Sequence, residues 1–241
     1  MNRRVIVYGD IHGCLDELKK LRKIIKPREK DIEISVGDLL NKGPKSIETL
    51  RYVQKKGILS VVGNNEAKIM RFYKELQQKG DTFFKTLRNF EQHTLKKMSI
   101  QDYYFLKSLP YFYKINNLTI LHGGIQNGVK LRKGMNKKER DSLTLMRYLN
   151  KDGKPIPYKN FKDRHSFWSE TYNGREGFII FGHQPFKEPK IEEHAIGIDT
   201  GAVYGGSLSA IVFNQNILGV DIKNYKLYNV KSAKNYFEDF N

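Results

Sequence analysis

Reactive side chains gather first in Gly9-Asp10-Ile11-His12-Gly13, where a carboxylate and an imidazole stand two residues apart at the end of the apolar run Val5-Ile6-Val7-Tyr8. Oxygen and nitrogen donors at i and i+2 just past a strand can turn toward one point, and that pair suits Zn, Mn or Fe. The flanking glycines let the backbone turn sharply. Taken alone, a strand-to-helix turn with Asp10 as the helix cap explains the motif as well. It is not alone: Asp38, Asn64, His122 and His183 each close another apolar run, and each lies beside a glycine. Two neighbouring divalent ions need a bridging carboxylate and several N and O ligands. Asp38 is the natural bridge, Asp10 and His12 complete one ion, and Asn64, His122 and His183 complete the other. A neutral Asn carbonyl is a poor lone ligand, but it serves in a site that already holds two carboxylates.

These groups require strand ends that converge. After the first strand, Leu15, Leu18, Leu21, Ile24 and Ile25 recur at helical spacing until Pro27. Ile32 to Val36 is a second strand ending at Gly37-Asp38, and Ile47, Leu50 and Val53 mark a helix that starts near Pro44. Ile58 to Val62 is a third strand, ending at Gly63-Asn64-Asn65-Glu66. This βαβαβ order predicts a parallel core with its ligand site beyond the carboxyl ends of the strands. Residues 66–108 read as helical, a possible cap, with Ser99 and Asp102 spaced as a capping box. Tyr111–Ile115 and Leu118–Leu121 flank the hairpin turn Asn116-Asn117, and the second arm ends on His122-Gly123-Gly124. Residues 127–165 are polar and broken by glycine and proline, as a surface excursion would be. Phe178–Phe181 leads to Gly182-His183, and strands near 194–198, 208–213 and 217–222 read as a meander finishing the second sheet.

A chain of 241 residues, 39% hydrophobic and 29% charged, suits one domain spanning 1–241. No apolar run approaches bilayer length, so no membrane association is expected. The lone Cys14 and an N-terminus that leads straight into a strand suit a cytoplasmic protein. The net charge of +17 favours an anionic partner, although much of it lies in lysine pairs on solvated helix faces. No run is long or arginine-rich enough to imply a stable nucleic-acid complex.

In order, Gly9-Asp10-Ile11-His12-Gly13, Gly37-Asp38-Leu39-Leu40-Asn41-Lys42-Gly43, Gly63-Asn64-Asn65-Glu66, Leu121-His122-Gly123-Gly124 and Gly182-His183 resemble the motif series of the calcineurin-like metallophosphoesterases, phosphoprotein-phosphatase branch. Ile198-Asp199-Thr200-Gly201-Ala202-Val203-Tyr204-Gly205-Gly206 resembles the C-terminal signature of bacterial members. The resemblance implies an α/β fold, a β-sandwich of two mixed sheets flanked by helices (αββα). It also implies two divalent metal ions, Mn or else Fe, Co or Zn, and hydrolysis by a metal-bridging hydroxide.

Two departures bear on the reaction. The family usually carries Asp-Arg where this chain has Asn41-Lys42, and His where it has Asn65; that His is the acid that protonates the leaving oxygen. An amide cannot supply a proton, a deficit of roughly 10²- to 10⁴-fold for a leaving group that needs one. A departing nucleoside phosphate, with a pKa of about 6, does not. Asn41-Lys42-Gly43-Pro44 also resembles the ApaH-like branch, similar to diadenosine tetraphosphatases. The expected substrate is therefore a phosphoanhydride, a dinucleoside polyphosphate or capped RNA end, with Lys42 as a point charge on the phosphates. The alternatives are a serine/threonine protein phosphatase acting on phosphoprotein and a catalytically impaired metal-binding pseudophosphatase. Relatives commonly place a phosphate-binding arginine after a segment like Phe167-Trp168-Ser169; here Glu170 follows, leaving Arg175 or Arg164 to substitute. Tyr204 has two readings, pocket or core. Trp168 reads as packing, and His93, His165 and His194 as non-ligands.

Overall fold

The computed structural model describes residues 3–162, 165–216 and 219–240. In chain order the elements are β1 (Arg3–Tyr8), α1 (Leu15–Ile25), β2 (Ile32–Ser35), α2 (Ser46–Lys55), β3 (Leu59–Ser60), α3 (Asn64–Phe84), α4 (Asn89–Lys97) and α5 (Ile100–Ser108). They continue with β4 (Phe112–Ile115), β5 (Leu118–Leu121), α6 (Lys137–Leu145), β6 (Tyr148–Leu149), β7 (Pro155–Ile156), β8 (Ser166–Phe167) and β9 (Phe178–Phe181). Last come β10 (Lys190–Ile191), β11 (Ala195–Gly197), β12 (Asp199–Thr200), β13 (Ser207–Asn216) and β14 (Gly219–Lys231).

Strand β1 explains the layering. It is buried on both faces, so alternate side chains enter different cores. Val5 and Val7 meet Ile34, Ile120, Ile180 and Phe213 between two sheets. Ile6 and Tyr8 point the other way, onto Leu18, Leu21, Ile47 and Leu50 of α1 and α2. One mixed sheet runs β12-β13-β1-β2-β3 with β14 on β13, and the other runs β10-β11-β9-β5-β4. The β1–β2–β3 pairs are parallel, as are β5–β9 and β9–β11, so their carboxyl ends share an edge.

Two expectations change. The final strands do not all finish the second sheet: β11 lies there, whereas β13 joins β1 antiparallel, Val5 opposite Phe213, and β14 follows it. β2 satisfies only one edge of β1, and the other edge of a strand buried on both faces also needs backbone partners. The 127–165 stretch is more than surface. Asn136 and Glu139 cap α6 reciprocally, and Leu131, Met135, Leu143, Met146 and Leu149 are buried against Phe181 and Trp168 in a third core. Its apolar residues are too widely spaced to show a period. The Ser99–Asp102 capping box and the Asn116 turn, at φ 54°, form as read. Among the described residues, no helix is long and apolar enough to cross a membrane.

Candidate metal centre

Three loops at the ends of β1, β2 and β3 are tied to one another before any ion is considered. The Asp38 carbonyl accepts the Ile11 and His12 amides at 3.1 and 2.7 Å. The Glu66 carboxylate, in the first turn of α3, accepts the amides of Asp38, Leu39 and Gly63 at 2.7 to 2.8 Å. Asp10 in turn accepts the His183 amide at 3.1 Å, joining the end of β9 to the end of β1. Glycine is required where the loops cross: a Cβ on Gly182 would stand 2.0 Å from Asp10 Oδ1, and one on Gly63 2.2 Å from Asp38 Oδ1. His12, Asp38, Asn41, Lys42 and His183 all hold positive φ, between 46° and 71°. Left-handed backbone at non-glycine residues persists only where the surroundings over-determine it, and such strain collects at working sites.

The side chains converge. Ligand atoms of Asp10, His12 and Asp38 lie within 4.8 Å of one another, all buried. His12 Nε2 is 3.3 Å from Asp38 Oδ2, and His122 Nε2 is 3.5 Å from Asp38 Oδ1, so Asp38 stands between the two halves. Asn64 Oδ1 lies 3.0 Å from His122 Nε2 and 2.8 Å from His183 Nδ1. The fit to metal rests on the rings. His12 Nδ1 pairs with the Leu40 carbonyl and His122 Nδ1 with the Val36 carbonyl, at 3.1 and 2.8 Å, which fixes the Nδ1–H tautomer and turns the Nε2 lone pairs inward. His183 turns its Nδ1 toward Asn64, and among the described residues its buried Nε2 has no hydrogen-bond partner.

Electrostatics favour the same reading. Burial and the nearby Lys42 push the His12 imidazole down to about 3, and burial lowers His122 and His183 too, so all three rings are neutral at pH 7. Burial drives the Asp10 carboxyl well up, helped by Asp199 and Asp38. Asp38 is held below the carboxylate range although burial opposes it: in acid the protonated His122 and His12 rings favour its charge, and at pH 7 Lys42 and the Asn65 backbone N–H do. Carboxylates crowded in a dry pocket are what a bound cation relieves.

Lys42 reaches this centre, its Nζ 3.1 Å from His12 Nε2 and 5.2 Å from the centre of the Tyr204 ring. Burial works to discharge it, but Asp38, Tyr204 and Asp10 raise its pKa and keep it cationic. Tyr204 thus faces Lys42, partly exposed. The Asn65 amide donates to Asp38 Oδ2 at 2.6 Å and accepts from Asn41 Nδ2 at 3.2 Å, so the two amides form a relay on the central carboxylate.

Arg175 is not brought to this centre. It is exposed in the turn before β9, at the opposite end of the strand from His183, about 13 Å of strand away. Arg164 lies outside the described residues. An arginine the sequence does not single out, Arg147, lies here: it donates to Gln184 Oε1 at 2.7 Å and to the His183 carbonyl at 3.4 Å, within the field of Asp38 and Asp10. Its carbonyl accepts the Trp168 amide, so it sits beside the segment where the family places its arginine. Only the pairing of β6 with β8 reveals this. Glu170, meanwhile, turns away to Lys190. Asp199 of the C-terminal signature also lies in the field of this centre: burial pushes its carboxyl up to about 6, with Asp38 adding to the rise while Gly201 N–H and Lys42 oppose it. Trp168 is fully buried against Phe181, and His165 and His194 lie on other parts of the molecule.

A parallel-edged sandwich with nitrogen and oxygen donors gathered at its strand ends defines a metallophosphoesterase. Residues 3–222 match the family model for calcineurin-like phosphoesterase, and the chain belongs to that family of metal-dependent hydrolases. Among its relatives, "Bis(5'-nucleosyl)-tetraphosphatase PrpE [asymmetrical]" of Oceanobacillus iheyensis is 27% identical over 87% of this chain and 88% of its own. The protein of the same name from Bacillus subtilis is 29% identical over 86% and 89%. A solved structure given as a candidate diadenosine tetraphosphatase superposes with a TM-score of 0.76 at 26% identity, covering 95% of this chain and 93% of that one. A serine/threonine phosphatase from Saccharomyces cerevisiae, TM-score 0.58 at 14% identity, shares the fold.

Proposed function

We propose that this chain hydrolyses phosphoanhydrides, with dinucleoside polyphosphates as its substrates. The observation that carries the reading is the Asn41–Asn65 pair on Asp38, which puts two amides where a proton donor would serve a basic leaving group. A leaving nucleoside phosphate, with a pKa of about 6, departs as an anion and needs charge neutralisation more than a proton. The names of the relatives support the same substrate class.

Asp10, His12 and Asp38 would hold one divalent ion and Asp38, Asn64, His122 and His183 a second. When bound, the ions supply Lewis-acid charge and an activated water. Lys42 and Arg147 flank the phosphate chain, Lys42 as a point charge braced on Tyr204 and Arg147 as a fork anchored on Gln184 and the His183 carbonyl. Asn65 keeps Asp38 oriented and deprotonated. The Leu40 and Val36 carbonyls hold the His12 and His122 rings in register. The lone, buried Cys14 suits a reducing, cytoplasmic setting.

The test is protein loaded with Mn, Co or Zn and given diadenosine tetraphosphate, a phosphoserine peptide and an aryl phosphate. Preferential turnover of the anhydride is expected; preferential turnover of the peptide overturns the reading, and so does metal binding without turnover.

A further inference from the structure

A groove leaves the metal centre at Asn64 and runs between α3, α5 and α6, with a volume of about 630 Å³. From Asn64 to Lys74 along α3 it extends about 15 Å. Its walls carry Lys68, Arg71, Lys74, Lys107, Lys137 and Arg140 against a single carboxylate, Asp141. Some of these charges are used within the protein. Lys68 pairs with Glu91, Arg71 with Glu75, Lys137 with Asp141, and Arg140 donates to the Met135 carbonyl and lies over the Tyr111 ring. Lys74 and Lys107 are exposed, and among the described residues neither has a carboxylate within ion-pair distance. Lys74 and Lys107 therefore stand as cations without a counter-charge in the groove, and an anion would relieve them.

The groove is not only cationic. Met70 and Leu145, the latter 56% exposed, give it an apolar wall; Tyr103 behind them is buried and stacked on Tyr73, and Arg140 lies over the Tyr111 ring. An inorganic polyphosphate has no use for an apolar wall, whereas a nucleotide needs both surfaces: cations for phosphate and a flat apolar face for the base. The volume suits one small ligand.

We propose that this groove is the subsite for the far nucleotide of a dinucleoside polyphosphate, phosphates along Lys74 and Lys107 and base against the Met70–Leu145 wall. It rests on the phosphoanhydride reading above and adds where the second half of the substrate lies.

The experiment compares Mn-loaded wild type with Lys74→Glu/Lys107→Glu on diadenosine tetraphosphate and on p-nitrophenyl phosphate, which fills only the metal centre. KM for the dinucleotide should rise about tenfold or more with kcat little changed, while kcat/KM for the aryl phosphate holds. An unchanged KM, or equal losses on both substrates, overturns the subsite. If wild type does not turn over diadenosine tetraphosphate, the functional reading fails and calorimetric titration with adenosine 5′-triphosphate decides the groove separately. Weaker binding to the variant keeps the groove; equal binding removes it. An oligoadenylate of about six nucleotides that binds the wild type more tightly than the triphosphate, and loses that advantage in the variant, replaces the single-nucleotide subsite with a strand track.

Discussion

Substituting Asn65→His, alone and with Asn41→Asp, tests the leaving-group argument directly. The Asn65 side chain lies 2.6 Å from Asp38 Oδ2 and 3.2 Å from Asn41 Nδ2, so an imidazole there would sit at the rim of the metal centre. With Asn41 as its neighbour the ring is oriented; with the Asn41→Asp carboxylate beside it, the ring is also held protonated. A positioned acid is worth about 10²- to 10⁴-fold, or about 3 to 5 kcal/mol of barrier, when the leaving oxygen is a serine alkoxide. For a departing nucleoside phosphate it is worth little. The assay is kcat/KM for a phosphoserine peptide and for diadenosine tetraphosphate, with Mn saturating. Because Asn65 is only 4% exposed, a thermal melt of each variant establishes that the larger ring is accommodated. The peptide should gain at least tenfold more than the dinucleotide in the double variant. Equal gains, or none on the peptide in a folded, metal-loaded variant, refute the reasoning.

Arg147→Ala should lower kcat/KM for the anhydride about 10²-fold, as loss of a charge-stabilising donor does, while Arg175→Ala leaves it unchanged; steady-state kinetics on the two variants checks both. Gly182→Ala should destabilise the protein by about 2 kcal/mol or more and weaken Mn binding, since the added Cβ falls 2.0 Å from Asp10 Oδ1; a denaturant titration and calorimetry measure the two effects. In metal-free protein, folded His12 takes up its proton only near pH 3, against about 6.5 in the unfolded chain. Between those values the unfolded state binds more protons, so the His12 contribution, present above pH 6.5, is lost on acidification, by about 3 kcal/mol at pH 4.5. Asp10 and Asp199 are shifted upward and act in the opposite sense, so the measurement is the pH dependence of unfolding in wild type minus that in His12→Gln; a flat difference refutes it.

The positions gathered at the candidate metal centre were legible because each follows an apolar strand and adjoins glycine, a local pattern that needs no tertiary information. Arg147 was not, because its place beside the site depends on pairing two-residue strands, β6 and β8, inside a stretch with no readable period. Arg175 shows the reverse error: a cation near in sequence to His183 but at the wrong end of β9. The sheet membership of β13 was likewise hidden, since sequence adjacency suggests a meander while the vacant edge of β1 lies some two hundred residues earlier.

Asp10, His12, Asp38 and Asn64 descend from one sheet and its following loops, whereas His122 and His183 come from the other. A cation shared among them would rivet the two halves of the sandwich at their common rim, far from the apolar filling that otherwise joins them. Stripping the ions should therefore loosen that rim first, and amides at the tips of β5 and β9 should exchange with solvent faster than those at mid-strand.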